Sequence, residues 1–217
     1  KTQRNAIVAF GVRCLSAGLL YLSQIVLARW MGGFEYGIYV FVWTWVLILG
    51  GLSHLGLNVT AIRLTPVYRE SGEMDKLRGL IRGARLIALV SGTLIMLLGV
   101  AGIWFFKPYM QNHFVLPMYL ALVCVPLFAL TDVQDGIGRG NAWMGLALMP
   151  PYVLRPILVL VSMFAANAAG LPMEATTAAA AAIVATWGSG LVQTLIINSR
   201  LKEVIPAGEH SYSFRPW

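Results

Sequence analysis

Charge is scarce in this chain. Only 12% of its 217 residues are Asp, Glu, Lys or Arg, where a soluble domain carries about a quarter. So few charges cannot cover a water-facing surface, and a soluble globular fold is excluded on that ground. Histidine is limited to His54, His113 and His210, which are scattered and make no metal-ligand spacing. Cysteine is limited to Cys14 and Cys124, both inside apolar runs. That leaves no disulfide framework and marks them as small packed residues. No serine or cysteine stands in a nucleophile motif and no catalytic constellation is visible, so the chain reads as a non-enzyme. Acid is in shorter supply than base, 9 residues against 16, for a formal charge of +7. Nucleic acid is one reading of such a surplus. In an apolar chain it reports cytoplasmic loops instead, so no nucleic-acid partner is expected.

Apolar residues are what the sequence has, at 58%. An all-α polytopic membrane protein follows, because lipid accepts apolar side chains but leaves no water for unpaired backbone groups. Six stretches reach the roughly 20 residues that a helix needs to cross a bilayer core: residues 6–30, 37–62, 86–106, 113–131, 142–170 and 175–199. The first is too long for a secretory signal and leads straight into the second. Twelve Lys and Arg residues fall at the N-terminus, in the 2–3 and 4–5 loops and in the tail; two, Arg29 and Lys107, fall on the opposite side. That asymmetry predicts cytoplasmic N- and C-termini. Aromatic clusters at Tyr36–Trp45 and Trp104–Tyr109 fit the outer headgroup level. The 2–3 loop predicts a short amphipathic helix over residues 74–86, with Leu77, Leu80 and Ile81 on anionic headgroups or, alternatively, a solvated helical linker. The chain opens at Lys1 without methionine and its tail ends in Phe-Arg-Pro-Trp. The expectation is a six-helix lobe over residues 1–200 and a cytoplasmic linker over 201–217, leading to a second lobe.

Charges inside the spans are the candidate functional residues, since each costs at least about 2.5–3.5 kcal/mol at a span centre. Arg13 shares a helical stripe with Ser16, Leu20 and Gln24, which reads as the wall of a wet cationic cavity or as an arginine snorkelling to headgroups. His54 and Asn58 read as an i,i+4 polar pair in the second span, for the cavity or for interhelical bonding. A histidine titrates near neutral pH, so proton coupling is one use for it. Arg155 lies near the middle of the fifth span, among Pro150, Pro151 and Pro156. Broken helices at membrane depth line cavities, and a guanidinium there can hold a phosphate bidentately. Its alternative is an ion pair with Asp132 at the end of the fourth span. Asp135 and Arg139 form an i,i+4 pair. Gly136, Gly138 and Gly140 lack the spacing of a phosphate loop and read as a flexible cytoplasmic turn. The alanine-rich sixth span reads as a close-packing helix.

One long stretch, SQIVLARWMGGFEYGIYVFVWTWVLILGGLSHLGLNVTAIRLTPVY, holds an ordered set of elements: Leu27-Ala28-Arg29 ending an apolar helix, Gly33 ahead of Glu35-Tyr36-Gly37, a second helix, Leu55-Gly56, and Arg63 before Pro66. That set resembles the start of polysaccharide-transport proteins of the multidrug/oligosaccharidyl-lipid/polysaccharide exporter superfamily. The resemblance implies one lobe of a two-lobed flippase for an undecaprenyl-pyrophosphate-linked oligosaccharide in the bacterial inner membrane, serving lipopolysaccharide O-antigen or other polysaccharide biosynthesis. It implies as partners the membrane lipids, a C-terminal lobe, a polysaccharide polymerase and glycosyltransferases. It implies no cofactor beyond H+ or Na+ coupling. A pyrophosphate crossing a low-dielectric region needs cations along its path. Arg13 and Arg155 are the candidates, with Arg63 at the cytoplasmic mouth; Gln24, His54 and Asn58 add polarity, and Asp132, Asp135 and Arg139 are an ion-pair or coupling group. The alternatives are a cation-coupled multidrug exporter of the same superfamily, which should place a carboxylate deep in a helix, and a non-transporting scaffold. A membrane glycosyltransferase or polymerase would need a long outer loop.

Overall fold

The computed structural model describes residues 2–206, 208, 211 and 212, and for residues 2–9 and 12 the backbone alone. Lys1, His210 and the Ser-Phe-Arg-Pro-Trp end with Arg215 lie outside the described residues. Among the described residues the chain is helical, with no strand. The helices are α1 (Thr2–Ser53), α2 (Leu57–Glu70), α3 (Met74–Phe106), α4 (Asn112–Leu122), α5 (Val125–Gly140), α6 (Met144–Met149), α7 (Arg155–Ala168) and α8 (Ala175–Val204). A short 3-10 turn, Lys107–Tyr109, follows α3, and a π-helical turn, Pro150–Leu154, joins α6 to α7.

α1 is two helices joined at Gly32, whose φ of 76° and ψ of 163° only glycine adopts readily. Across that break the Tyr36 hydroxyl donates to Gln24 Oε1 at 2.7 Å. In a straight helix these residues would stand about 18 Å apart along the axis, beyond the reach of both side chains. The chain therefore folds sharply back at Gly32. Glu35, beside the bend, accepts the N–H of Ala175 at 2.8 Å and so caps the start of α8. A carboxylate at a helix N-terminus is favoured by the helix dipole.

The second arm of α1 does not run on to residue 62 as its hydropathy predicts. It stops at Ser53, where Leu55 (φ 51°) and Gly56 (φ 76°) turn the backbone left-handed. The Ser91 hydroxyl of α3 takes the Ser53 carbonyl that the break leaves free, at 2.5 Å. The basic 2–3 loop shrinks to residues 71–73, because α2 and α3 extend through it. Residues 74–86 are the first turns of α3 rather than a separate surface helix. Leu77 and Leu80 are fully buried in a core shared with α2, α5 and α8, so the apolar face meets protein instead of headgroups.

The fourth span is bent by 42° between α4 and α5. Pro126 lacks the N–H that would bond Leu122 and crowds that carbonyl, which explains the bend. α5 then continues through the glycines to Gly140, correcting the expected flexible turn. A Cβ on Gly136 would strike the Asn58 backbone, and one on Gly140 would lie 2.8 Å from the Ala61 carbonyl oxygen. Two glycines four residues apart thus let α2 and α5 touch backbone to backbone. The fifth span widens into the π turn at its prolines. Ala147, whose carbonyl faces proline at position 151, accepts instead from Gln193 Nε2 of α8 at 3.1 Å. α5 is the central helix: it packs against α1, α2, α3 and α8 and is buried nearly all round.

Leucines and aromatics stay exposed along the second half of α3, from Leu94 to Trp104, Phe105 and Phe106. A contiguous apolar surface of that kind belongs against lipid. Among the described residues four helices are long and apolar enough to cross a membrane, or five if the bent α4–α5 pair is one span. The six separate spans expected from the sequence are not all resolved as distinct elements, because Arg13–Ser53 counts as one continuous stretch.

Candidate functional site

Arg155 begins α7 directly after the π turn. Its guanidinium carbon lies 5.7 Å from the ring centroid of Trp43 on α1 and 5.2 Å from that of Phe128 on α5. A cation over two aromatic faces is held by their quadrupoles. Among the described residues Arg155 forms no hydrogen bond and no ion pair within 4.0 Å. The expected alternative, a direct pair with Asp132, is not made, although the two are within electrostatic reach.

Asp132 faces His54 instead, with Oδ2 3.7 Å from Nε2. His54 Nδ1 accepts the Gly56 N–H at 3.1 Å. An accepting Nδ1 leaves the proton of a neutral imidazole on Nε2, the nitrogen turned towards the carboxylate. The left-handed turn that ends α1 therefore aims this ring. Because α5 runs on to Gly140, Asp132 sits in the body of a helix and not at its end, as the hydropathy pattern implied. One turn later Asp135 binds Arg139, whose Nε donates to Oδ1 at 3.0 Å. Arg13, exposed on α1, lies within electrostatic reach of Asp135 and of Tyr152 in the π turn. Arg13, Arg139 and Arg155 against Asp132 and Asp135 leave this group one positive charge in excess.

The structure does not gather every candidate here. Gln24 accepts from Tyr36 and serves the hairpin. Asn58 is not on one helical face with His54, because His54 lies in the turn after α1 and Asn58 in α2. Its Oδ1 accepts the neighbouring Val59 N–H at 2.6 Å. Arg63 is exposed on α2. Sequence reasoning missed the aromatic cradle of Arg155, since Trp43 read as part of a headgroup belt. It also assigned Arg85 to a loop. That guanidinium is inside the bundle, with Nη2 2.7 Å from Gln134 Oε1 and Nη1 2.7 Å from Asn198 Oδ1. The buried Gln134 passes the network on to Thr194 through Nε2 at 3.0 Å.

Long lipid-facing helices around a partly charged interior define a polytopic helical membrane protein. Residues 2–210 match the family described as polysaccharide biosynthesis protein. The chain belongs to that family, in agreement with the polysaccharide-transport resemblance, detailed over about residues 10–70, and its role is in polysaccharide biosynthesis or transport. No curated protein and no solved structure matches it.

Proposed function

We propose that the chain is the N-terminal lobe of a flippase moving an undecaprenyl-pyrophosphate-linked oligosaccharide from the cytoplasmic to the outer face of the inner membrane by alternating access. One observation carries the reading: Arg155 is held by aromatic faces and not by a carboxylate. Its N–H groups, without a hydrogen-bond partner among the described residues, remain for a bidentate oxyanion, the geometry a phosphate offers. Counting the Gly32 bend as a crossing between two spans, and α4–α5 as one, gives the six spans of such a lobe. A C-terminal lobe would close the other side of the cavity, and a polymerase and glycosyltransferases would work beside it.

The test replaces Arg155, then Arg13, with alanine in the full-length protein, and follows surface polysaccharide alongside protein abundance. Arg155→Ala should cut export at least about tenfold, the scale of one lost charge-assisted contact, at unchanged abundance. Normal polysaccharide in both variants would sink the idea. Restoration by Arg155→Lys would show that charge matters more than the forked geometry.

A second reading, a cation-coupled exporter, gains from the placement of Asp132 inside α5 against His54. Asp132→Asn separates the two. Loss of cation-dependent efflux with normal surface polysaccharide would favour the exporter.

A further inference from the structure

A second charged region lies on another side of the bundle, between α3 and α8. Two contacts fix these helices as antiparallel: Arg85 with Asn198, and Arg78 Nη1 with the Pro206 carbonyl at 3.0 Å. Moving back along α3 thus corresponds to moving forward along α8. Lys202 comes level with Arg82, and Leu195 level with Leu89. Between them runs a groove of about 1110 Å³. Neither Arg155 nor Asp132 lines it.

The groove has two chemically different ends. Its cationic end is lined by Arg78, Arg82, Arg85 and Lys202 beside the apolar Ile81, Leu201 and Ile205, and no Asp or Glu among the described residues lines it. Arg82 and Lys202 are exposed. Arg85 is bonded to the neutral amides of Gln134 and Asn198, which orient a guanidinium without cancelling its charge. Past Arg85 the lining changes to Leu86, Leu89 and Leu195, with Leu89 seven residues, about 10 Å, along α3 from Arg82. Leu86 and Leu195 are exposed. A free phosphate would use the first end alone and leave the leucines without a role. An amphiphile with an anionic head and an acyl chain uses both, and basic side chains at a membrane rim attract such lipids. We propose that this groove binds one anionic phospholipid, its phosphodiester on Arg82, Arg85 and Lys202 and its chain along Leu86, Leu89 and Leu195. The proposal does not depend on the transport reading.

The experiment uses the full-length protein in neutral detergent, titrated with phosphatidylglycerol, with phosphatidylcholine and with inorganic phosphate. Lipid retained in native mass spectrometry and the thermal unfolding midpoint are read together. Phosphatidylglycerol should be retained and raise the midpoint, while phosphatidylcholine and phosphate do neither. The double variant Arg82→Gln/Lys202→Gln should weaken phosphatidylglycerol binding at least about tenfold. Both side chains are exposed, so the helical circular dichroism should be unchanged. Leu195→Asn should weaken the lipid as well, which an anion site would not show. Equal retention of the two lipids, full binding by the double variant, or matching stabilisation by phosphate alone would each overturn the proposal.

Discussion

Replacing Glu35 with alanine removes the acceptor that meets the first N–H of α8. The loss should be about 1 kcal/mol, the usual worth of a helix cap, seen as a lower unfolding midpoint in detergent. An unchanged midpoint would mean that Ala175 finds another partner at no cost. Tyr36→Phe tests the other side of the same bend, through the bond to Gln24. At this scale the sequence was partly legible. Glu35, Tyr36 and Gly37 stood out as a motif, and a connection between two apolar runs was readable from the gap between the spans 6–30 and 37–62. What each residue does was not readable, because the partner of Glu35 lies on α8, 140 residues away, and hydropathy does not report pairings. Arg155 stood out because a charge among three prolines violates the apolar pattern. Its aromatic cradle comes from two other helices and leaves no local signal.

α2 and α5 depend on Gly136 and Gly140 for their approach. Gly136→Val should destabilise by about 1–3 kcal/mol or more, since a backbone cannot yield as a side chain does. Folded yield by size-exclusion chromatography is the measure. Gly145→Ala on α6 is the control, with nothing within 4 Å of an added Cβ; its yield should hold. Equal losses in both would show that the close approach at Gly136 is not what sets stability there. The elements found from sequence are those where lipid dictates composition. The end of α3 at Phe106 and the start of α8 at Ala175 match the expected bounds. The elements misjudged are those where protein, and not lipid, covers the helix. Residues 63–85 looked like a loop for their charges, yet Arg85 is accommodated by amides and Leu77 by neighbouring helices. The end of α1 was missed because two left-handed residues, Leu55 and Gly56, change direction without changing hydropathy.

For the whole molecule, orientation and span number have one joint test. In a background with Cys14 and Cys124 replaced, Phe34→Cys at the bend and Ser71→Cys between α2 and α3 provide exposed labelling sites. An impermeant maleimide added to intact spheroplasts should modify position 34 at once and position 71 only after lysis. Reversed labelling would invert the topology. Labelling of both from one side would show that the chain does not cross between Gly32 and Ser53, and six spans would fall. The class of molecule was legible from composition alone, because few charges and many apolar residues leave lipid as the only compatible solvent for so much surface.

The two bonds flanking Gly32 also order the assembly of the lobe in time. Gln24 and Tyr36 are twelve residues apart and can join as soon as that stretch has left the ribosome. Glu35 and Ala175 are separated by 140 residues, so their bond waits until the start of α8 has been synthesised. The bend is thus complete on one side early in synthesis, while its other side receives α8, which emerges much later.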